Sequence, residues 1–403
     1  MKFLVIAQDM RVSGTSEGIV SRSFVAKLRL AYPESIIDVL YLKNHPSEDR
    51  LDLLPINSIE THIINLKPPF ITKWLNRFSW RLFNISLYDR FVHKSYGVHI
   101  SKVNHESYDH VFIRSSGLNF ETVLGAKDLP ILKKAIINFH DPYPSFWYAG
   151  AKCTLTNMEL FRLKEMHKVV SQARVCMSPS QYLSEDMSFL YGSRKKFYTL
   201  PHQFCSTVFE LSDTTKVLKK NRKVTLSYQG GLMFGRDIEV VLDAYQALVF
   251  KNDSIKENTE FALRVKTSNF TQLSTKYKEC QNIIIMDSLN FSNSCYEQMY
   301  EADINIILEN GPIYSNTLVG KAPLLASFSK SVFVVSPERS ELRQIIKNPI
   351  FIANMWDISD VQLKLEALIL DRLYSNESVQ PFKDYFSDAN FKKCLKNVLM
   401  EYN

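Results

Sequence analysis

Ser227–Leu248 reads SYQGGLMFGRDIEVVLDAYQAL, and this stretch decides the fold. The apolar segment Val224–Tyr228 that leads into it reads as a buried strand. Gly230 and Gly231 follow as a tight turn, and Arg236 stands just before a helix that begins near Asp237 and runs to about Phe250. Strand, glycine turn and helix in that order bring backbone N–H groups, the positive end of a helix dipole and one guanidinium to the same mouth of a sheet. The combination suits a phosphate. A glycine turn with a solvated arginine is the plainer alternative.

The same alternation extends in both directions. Upstream, the apolar run KFLVIA (Lys2–Ala7) reads as a strand, Gln8–Gly14 as a polar turn, and Ile19, Phe24, Val25 and Leu28 as the inner face of a helix. Further strands are expected at Ile36–Leu42, His62–Leu66, His110–Ile113, Ala135–Phe139, Val175–Ser178 and Lys196–Leu200. Ser206–Lys223 is polar and charged without sustained periodicity, and reads as a boundary or long surface connection. Beyond it come strands at Val224–Tyr228, Glu260–Lys266, Ile283–Met286, Ile304–Leu308 and Val332–Val335, with helices at Ser292–Glu301 and Lys321–Ser329. The tail from Val379 to Asn403 carries Phe382, Tyr385, Phe386, Phe391, Leu395, Val398 and Leu399 at helical spacing and is expected to pack as terminal helices. Repeated strand and helix imply parallel sheets wrapped by helices, in two doubly wound α/β domains. Residues 1–205 form the first and 206–378 the second, with 379–403 packing back on the first. Sites are then expected at strand-to-helix loops facing a cleft between the domains.

Composition sets the outer bounds. The chain has 403 residues, 45% hydrophobic and 23% charged, with 12 Gly and 15 Pro, which suits folded domains and excludes collagen-like and low-complexity classes. The only apolar run at the start, Phe3–Ala7, is too short for a signal peptide, and no run reaches the length of a membrane span, so a cytoplasmic protein is expected. Cys153, Cys176, Cys205, Cys280, Cys295 and Cys394 form no C-x-x-C pair and read as reduced, packed thiols. The chain holds no D-x-D triplet and no H-E-x-x-H, G-x-G-x-x-G or P-loop motif. Metal-dependent sugar transfer of the D-x-D type, H-E-x-x-H metallohydrolase, dinucleotide and P-loop readings lose their support.

Ser227–Leu248 resembles the opening of the C-terminal domain of GT-B glycosyltransferases of family 4, where a strand leads into a G-x-L turn, a basic residue and a helix with an Ala-aromatic pair, here Ala244 and Tyr245. Many members carry two basic residues in this turn; Gly231 stands in place of the first and Arg236 matches the second. Met286–Leu308 (MDSLNFSNSCYEQMYEADINIIL) is similar to the family's strand, loop, helix and strand before the donor site. Ser315–Val335 (SNTLVGKAPLLASFSKSVFVV) is similar to the pattern in which a lysine, here Lys321, opens a helix and contacts phosphate. A lysine at a helix start is poorly placed against the dipole unless an anion is near. The family's two glutamates fall on Asn316 and Leu324, so carboxylate contacts are lost there; Asn316 retains hydrogen-bonding capacity, and Glu309 on the strand exit is a candidate substitute.

The resemblance continues in AIINFHDPYP (Ala135–Pro144), where His140 and Asp141 close a strand and correspond to an HD pair that commonly borders the donor sugar. Ser178–Ser180 resembles the family's "pS" strand end, and a helix N-cap explains Ser180 equally well. Ser13, Gly14 and Thr15, with Ser16–Gly18, occupy the first strand-to-helix loop, which lies near the diphosphate and acceptor in such enzymes. The resemblance implies a GT-B enzyme that moves a sugar from a nucleotide-diphosphate donor to a hydroxyl acceptor, with retention and without a metal or cofactor. A glycan or lipid-linked acceptor, in surface-polysaccharide or lipid-linked glycan assembly, fits. A sugar-nucleotide epimerase and a non-catalytic, nucleotide-binding homologue are the alternatives.

Between Lys67 and Lys94, Lys67, Lys73, Arg77, Arg81, Arg90 and Lys94 face one acid, Asp89, and Ile71, Trp74, Leu75, Phe78, Leu82 and Ile85 recur at steps of three and four. A helix here has an apolar face that includes Trp74 and Phe78 and a cationic border that includes Lys73, Arg77 and Arg81, and these five are the candidate membrane-surface residues. Two readings fit equally: an anionic membrane surface, or a helix docked on its own domain. No nucleic-acid motif or basic stripe accompanies it.

Overall fold

In the computed structural model, residues 1–47, 49–145, 150, 154–192, 194–375 and 377–400 are described. The chain forms two units, Met1–Val208 with Ser387–Asn403, and Phe209–Phe386.

The first unit runs β1 (Lys2–Ala7), α1 (Ser16–Ala31), β2 (Ile36–Lys43), β3 (Ser58–Ile63), α2 (Phe70–Phe83), α3 (Leu87–Ile100), β4 (His110–Arg114), α4 (Glu121–Gly125), β5 (Ala135–Asn138), α5 (Asn157–Gln172), β6 (Val175–Ser178), α6 (Gln181–Tyr191) and β7 (Phe197–Thr199). Its seven strands are parallel, in the order β3-β2-β1-β4-β5-β6-β7. The order reverses direction between β1 and β4, the switch point at which open α/β sheets bind ligands. Helix starts follow their caps: Thr15 accepts from Gly18 N–H, Ser86 from Asp89, Thr156 from Glu159 and Ser180 from Leu183.

The second unit runs β8 (Val224–Gln229), α7 (Glu239–Lys251), α8 (Asp253–Asn258), β9 (Thr259–Val265), α9 (Thr267–Lys276), β10 (Ile283–Asp287), α10 (Phe291–Tyr296), β11 (Ile304–Leu308), β12 (Tyr314–Ser315), α11 (Ala322–Ala326), β13 (Ser331–Ser336), β14 (Arg339–Ser340), α12 (Glu341–Ile345), β15 (Ile352–Asn354) and α13 (Ile358–Tyr374). Its main sheet is parallel with the order β10-β9-β8-β11-β13-β15, so the switch point lies between β8 and β11. Strands β8, β9, β11 and β13 are buried along their whole length, with the polar Thr225, Ser227 and Gln229 of β8 and Glu260 and Arg264 of β9 buried among apolar neighbours.

Five local expectations are corrected. The third strand is Ser58–Ile63, not His62–Leu66: it is an edge strand whose outward residues are polar, and the apolar Ile64 packs in the core just after it. The basic aromatic segment is two helices, α2 and α3, because Asn84 takes a left-handed conformation that ends the first and Ser86 caps the second. The helix expected at Lys321–Ser329 is confined to Ala322–Ala326, and that at Ser292–Glu301 is α-helical only to Tyr296, closing with a π turn, Glu297–Glu301. In the tail only α14 (Asp388–Met400) is helical; it sets Phe391 edge-on to Phe24 of α1 and pairs Asp388 with Lys27, whereas Phe382, Tyr385 and Phe386 pack in the second unit. Cys153 lies outside the described residues; the other five cysteines are free thiols.

Candidate functional site

Gly230 directly follows β8, and Glu309 and Asn310 directly follow β11, so both loops leave the switch point of the second sheet together. The β8 loop touches the β11 loop at Gly311, whose N–H donates to the Phe234 carbonyl. Asn310 then ties the loops through side chains: its Oδ1 accepts from Arg236 Nε at 2.9 Å and its Nδ2 donates to Thr317 Oγ1 at 3.3 Å. Arg236 is thereby aimed by a residue 74 positions away. Asn310 is fully buried and was not singled out by its sequence; a polar residue directly after an apolar strand is the only local sign of it.

Lys321, at the start of α11, turns its ammonium inward. It donates to the Gln229 carbonyl and lies over the Tyr228 ring, 4.5 Å from the centroid. Gly230 makes this approach possible, since a Cβ there would stand 3.0 Å from Lys321 Nζ. The Tyr228 hydroxyl in turn donates to the Gly231 carbonyl at 3.1 Å. Burial, reinforced by the neighbouring Arg236 charge, lowers the Lys321 pKa from 10.5 to about 7. Among the described residues no carboxylate pairs with Lys321 or Arg236, although basic side chains elsewhere in the unit find acids. Two cations that destabilise each other, gathered by a glycine turn at a switch point, make an arrangement that an anion would complete.

The Gln229 side chain is held from below. Its Nε2 donates to Glu297 and its Oε1 accepts from Ser294 Oγ, while Glu297 pairs with Arg264 at 2.7 Å, all in the interior. This network fixes the end of β8 on which Lys321 rests.

Glu309 and Asn316 are both buried. Neither Glu309 oxygen makes a hydrogen bond of ordinary geometry; burial raises its pKa to about 7, partly offset by the Ser340 and Ser336 hydroxyls and the Leu342 N–H. Its carboxyl faces the start of α12, away from solvent. Leu324 is buried in α11.

In the first unit, His140 follows β5 and is 3% exposed. Its Nε2 lies 2.7 Å from Arg114 Nη2, at the end of β4, and its ring meets His202 edge-on at 5.2 Å. The His140 N–H donates to Ser115 Oγ. Burial, with the charge of Arg114, holds the His140 pKa well below its ordinary value, and burial lowers His202 to about 3. Asp141 is half-buried beside it. The first loop is organised locally: Gly14 has φ +86°, Thr15 Oγ1 donates to Asp9, and Asp9 pairs with Arg11 at 2.5 Å. Thr15 therefore caps α1 and braces the loop. A pocket of about 300 Å3 opens beside the β4–α4 loop, lined by Asp89, Asn119, Phe120, Glu121, Tyr143 and Arg162 among others.

No family model and no curated protein matches the chain. Solved structures do. The chain is similar to trehalose-6-phosphate synthase OtsA, with a TM-score of 0.65 at 10% identity over 100% of this chain and 99% of that one. It is also similar to the apo form of the lipopolysaccharide outer core galactosyltransferase WaaB, with a TM-score of 0.59 at 13% identity over all of both chains. The UDP-GlcNAc 2-epimerase of Neisseria meningitidis bound to UDP-GlcNAc gives 0.58 at 13% identity, again over all of both. The fold is thus GT-B, two Rossmann-like doubly wound parallel-sheet domains, as the strand patterns imply. At these identities the likeness is one of fold, shared by transferases and epimerases alike.

Proposed function

We propose that the protein is a glycosyltransferase of the family 4 type that moves a sugar from a nucleoside-diphosphate donor to a hydroxyl acceptor. The observation that carries this reading is the pair Lys321 and Arg236, converging at the second switch point without a carboxylate partner among the described residues. As the glycosidic bond breaks, negative charge grows on the departing diphosphate, and cations already fixed there stabilise it without reorganisation. In this reading the two cations and the Gly230–Gly231 turn carry the charge of the departing diphosphate. Asn316 and Glu309 are the remaining candidates for nucleotide or sugar contact, and Glu309 needs a shift of α12 to take part. His140 and Asp141 act on the reacting sugar, retention follows from the family resemblance, and the acceptor enters by the Ser13–Thr15 loop. The polar, aromatic pocket at Glu121 suits acceptor hydroxyls.

The acceptor is glycan or lipid-linked, and the enzyme works at a membrane surface. Helix α2 supports this: none of its residues is buried, Phe70 is 81% exposed and Ile71, Leu82 and Phe83 about as open, and Trp74 and Phe78 stack at 4.7 Å. Lys73, Arg77 and Arg81 form an exposed stripe at steps of four beside that apolar face. A contiguous exposed apolar face of this kind marks an interaction surface, and its cationic border complements anionic lipid. No helix among the described residues is long and apolar enough to cross a membrane.

The test is calorimetric titration of nucleoside diphosphates and nucleotide sugars, followed by transfer assays. Saturable diphosphate binding that is weakened in Lys321→Met supports the reading; equal binding by the variant overturns it. Binding without transfer favours the non-catalytic homologue, to which Leu324 also points, and release of an altered hexose favours the epimerase.

A further inference from the structure

Arg114 poses a question that the proposed chemistry does not answer. It closes the apolar strand HVFIR at the first switch point and is 2% exposed. Its guanidinium lies 4.2 Å from the Phe24 ring centroid, and among the described residues no carboxylate pairs with it. Its Nε is buried without a hydrogen-bond partner. Burying a cation in this way is costly, and burial alone lowers the Arg114 pKa to about 9. Its side chain hydrogen-bonds His140 Nε2 at 2.7 Å.

That contact has a fixed sense. A guanidinium has five N–H donors and no acceptor, so the imidazole nitrogen facing it must offer a lone pair. The ring proton of His140 is then on Nδ1, which takes no hydrogen bond from or to any described residue. We infer that Arg114 is a positioning residue that locks His140 in the Nδ1–H tautomer, so that His140 meets its substrate as a hydrogen-bond donor to an oxygen and not as a general base. An imidazole whose only lone pair is committed to a guanidinium cannot accept a proton from an acceptor hydroxyl. The His140 Nδ1–H is suited to donate to a sugar hydroxyl oxygen. Assigning that oxygen to the substrate rests on the transferase reading; the tautomer does not.

Two charged or titratable groups face His140: Arg114 from β4 and His202 from the segment after β7, and both oppose its protonation. The experiment is long-range 1H–15N correlation spectroscopy on the full chain labelled at histidine, with His140→Gln used for assignment. The expected result is a bare Nε2 and a protonated Nδ1, unchanged between about pH 5 and 8. In Arg114→Leu the resonance should move toward a tautomer mixture and titrate, and Arg114→Lys, which keeps a donor, should restore the native pattern. A native His140 protonated on Nε2, or one that titrates normally, overturns the inference, as does an unchanged pattern in Arg114→Leu. If Arg114→Leu does not fold, Arg114→Met, which also removes every side-chain donor, gives the same comparison, and an unchanged Nδ1–H pattern there refutes the lock. Failure to transfer sugar would sink the transferase reading and leave this spectroscopic result standing.

Discussion

The two sheets of this protein share a strand order and a switch point, and close that point in opposite ways. In the first unit the cation Arg114 is sealed in the interior and its hydrogen bond is spent on His140. In the second, Lys321 and Arg236 come from two different loops and rest on neutral carbonyl and amide oxygens, with no carboxylate partner among the described residues. On the readings proposed above, the first arrangement fixes the state of a side chain and the second holds a place for an anion. The same topology therefore sets where chemistry can happen, and the loop residues set what kind.

The comparison breaks most severely if the support below Lys321 is removed. Glu297→Ala leaves Arg264 as a lone buried cation and frees the Gln229 side chain, so unfolding free energy should fall by about 3 to 5 kcal/mol, read by denaturant melts. A variant as stable as the parent would mean that the network does not anchor β8.

Next in size is Lys321→Met, which should reduce turnover by about 2 to 4 kcal/mol of transition-state stabilisation, with a smaller loss in nucleotide affinity. The parent should also show a characteristic pH response. With the Lys321 pKa near 7 in the free protein, diphosphate affinity should be greatest below about pH 7 and decline above it, with proton uptake on binding. Stability without ligand runs the other way. The folded state holds this lysine less protonated than the unfolded state between about 7 and 10.5, so its penalty is full below 7 and fades as pH rises toward 10.5. A flat affinity profile in calorimetry across pH 6 to 9 would remove Lys321 from the diphosphate.

Gly230→Ala sharpens the picture without removing a charge. The new Cβ would crowd Lys321 Nζ at 3.0 Å and move the ammonium, costing on the order of 1 to 2 kcal/mol in nucleotide affinity, low in the overpacking range because a flexible chain end can give. Equal affinity would show that the ammonium position is not critical. The smallest effect belongs to α2: Arg77→Ser should weaken sedimentation with anionic vesicles by about 1 kcal/mol, and no change would return the helix to an ordinary surface.

Much of this was legible along the chain. Buried parallel strands announce themselves as apolar runs, and Gly230, Arg236, Lys321 and His140 stand out because turn geometry and a charge beside a helix start are local features. Errors fell where the signal was not local to one element: the polar edge strand Ser58–Ile63, the break at Asn84, and the tail, whose aromatic residues divide between two units. The sequence by itself determined two α/β sheets and the loops that bear their charged residues. Only the tertiary structure decided the partners of those charges: Arg236 on Asn310, Lys321 on Gln229, Arg114 on His140 and Glu309 turned into the interior. The physical reason is distance along the chain. Each pairing joins loops from strands made adjacent by parallel crossovers, 26 to 92 residues apart, and no local pattern encodes which loops will meet.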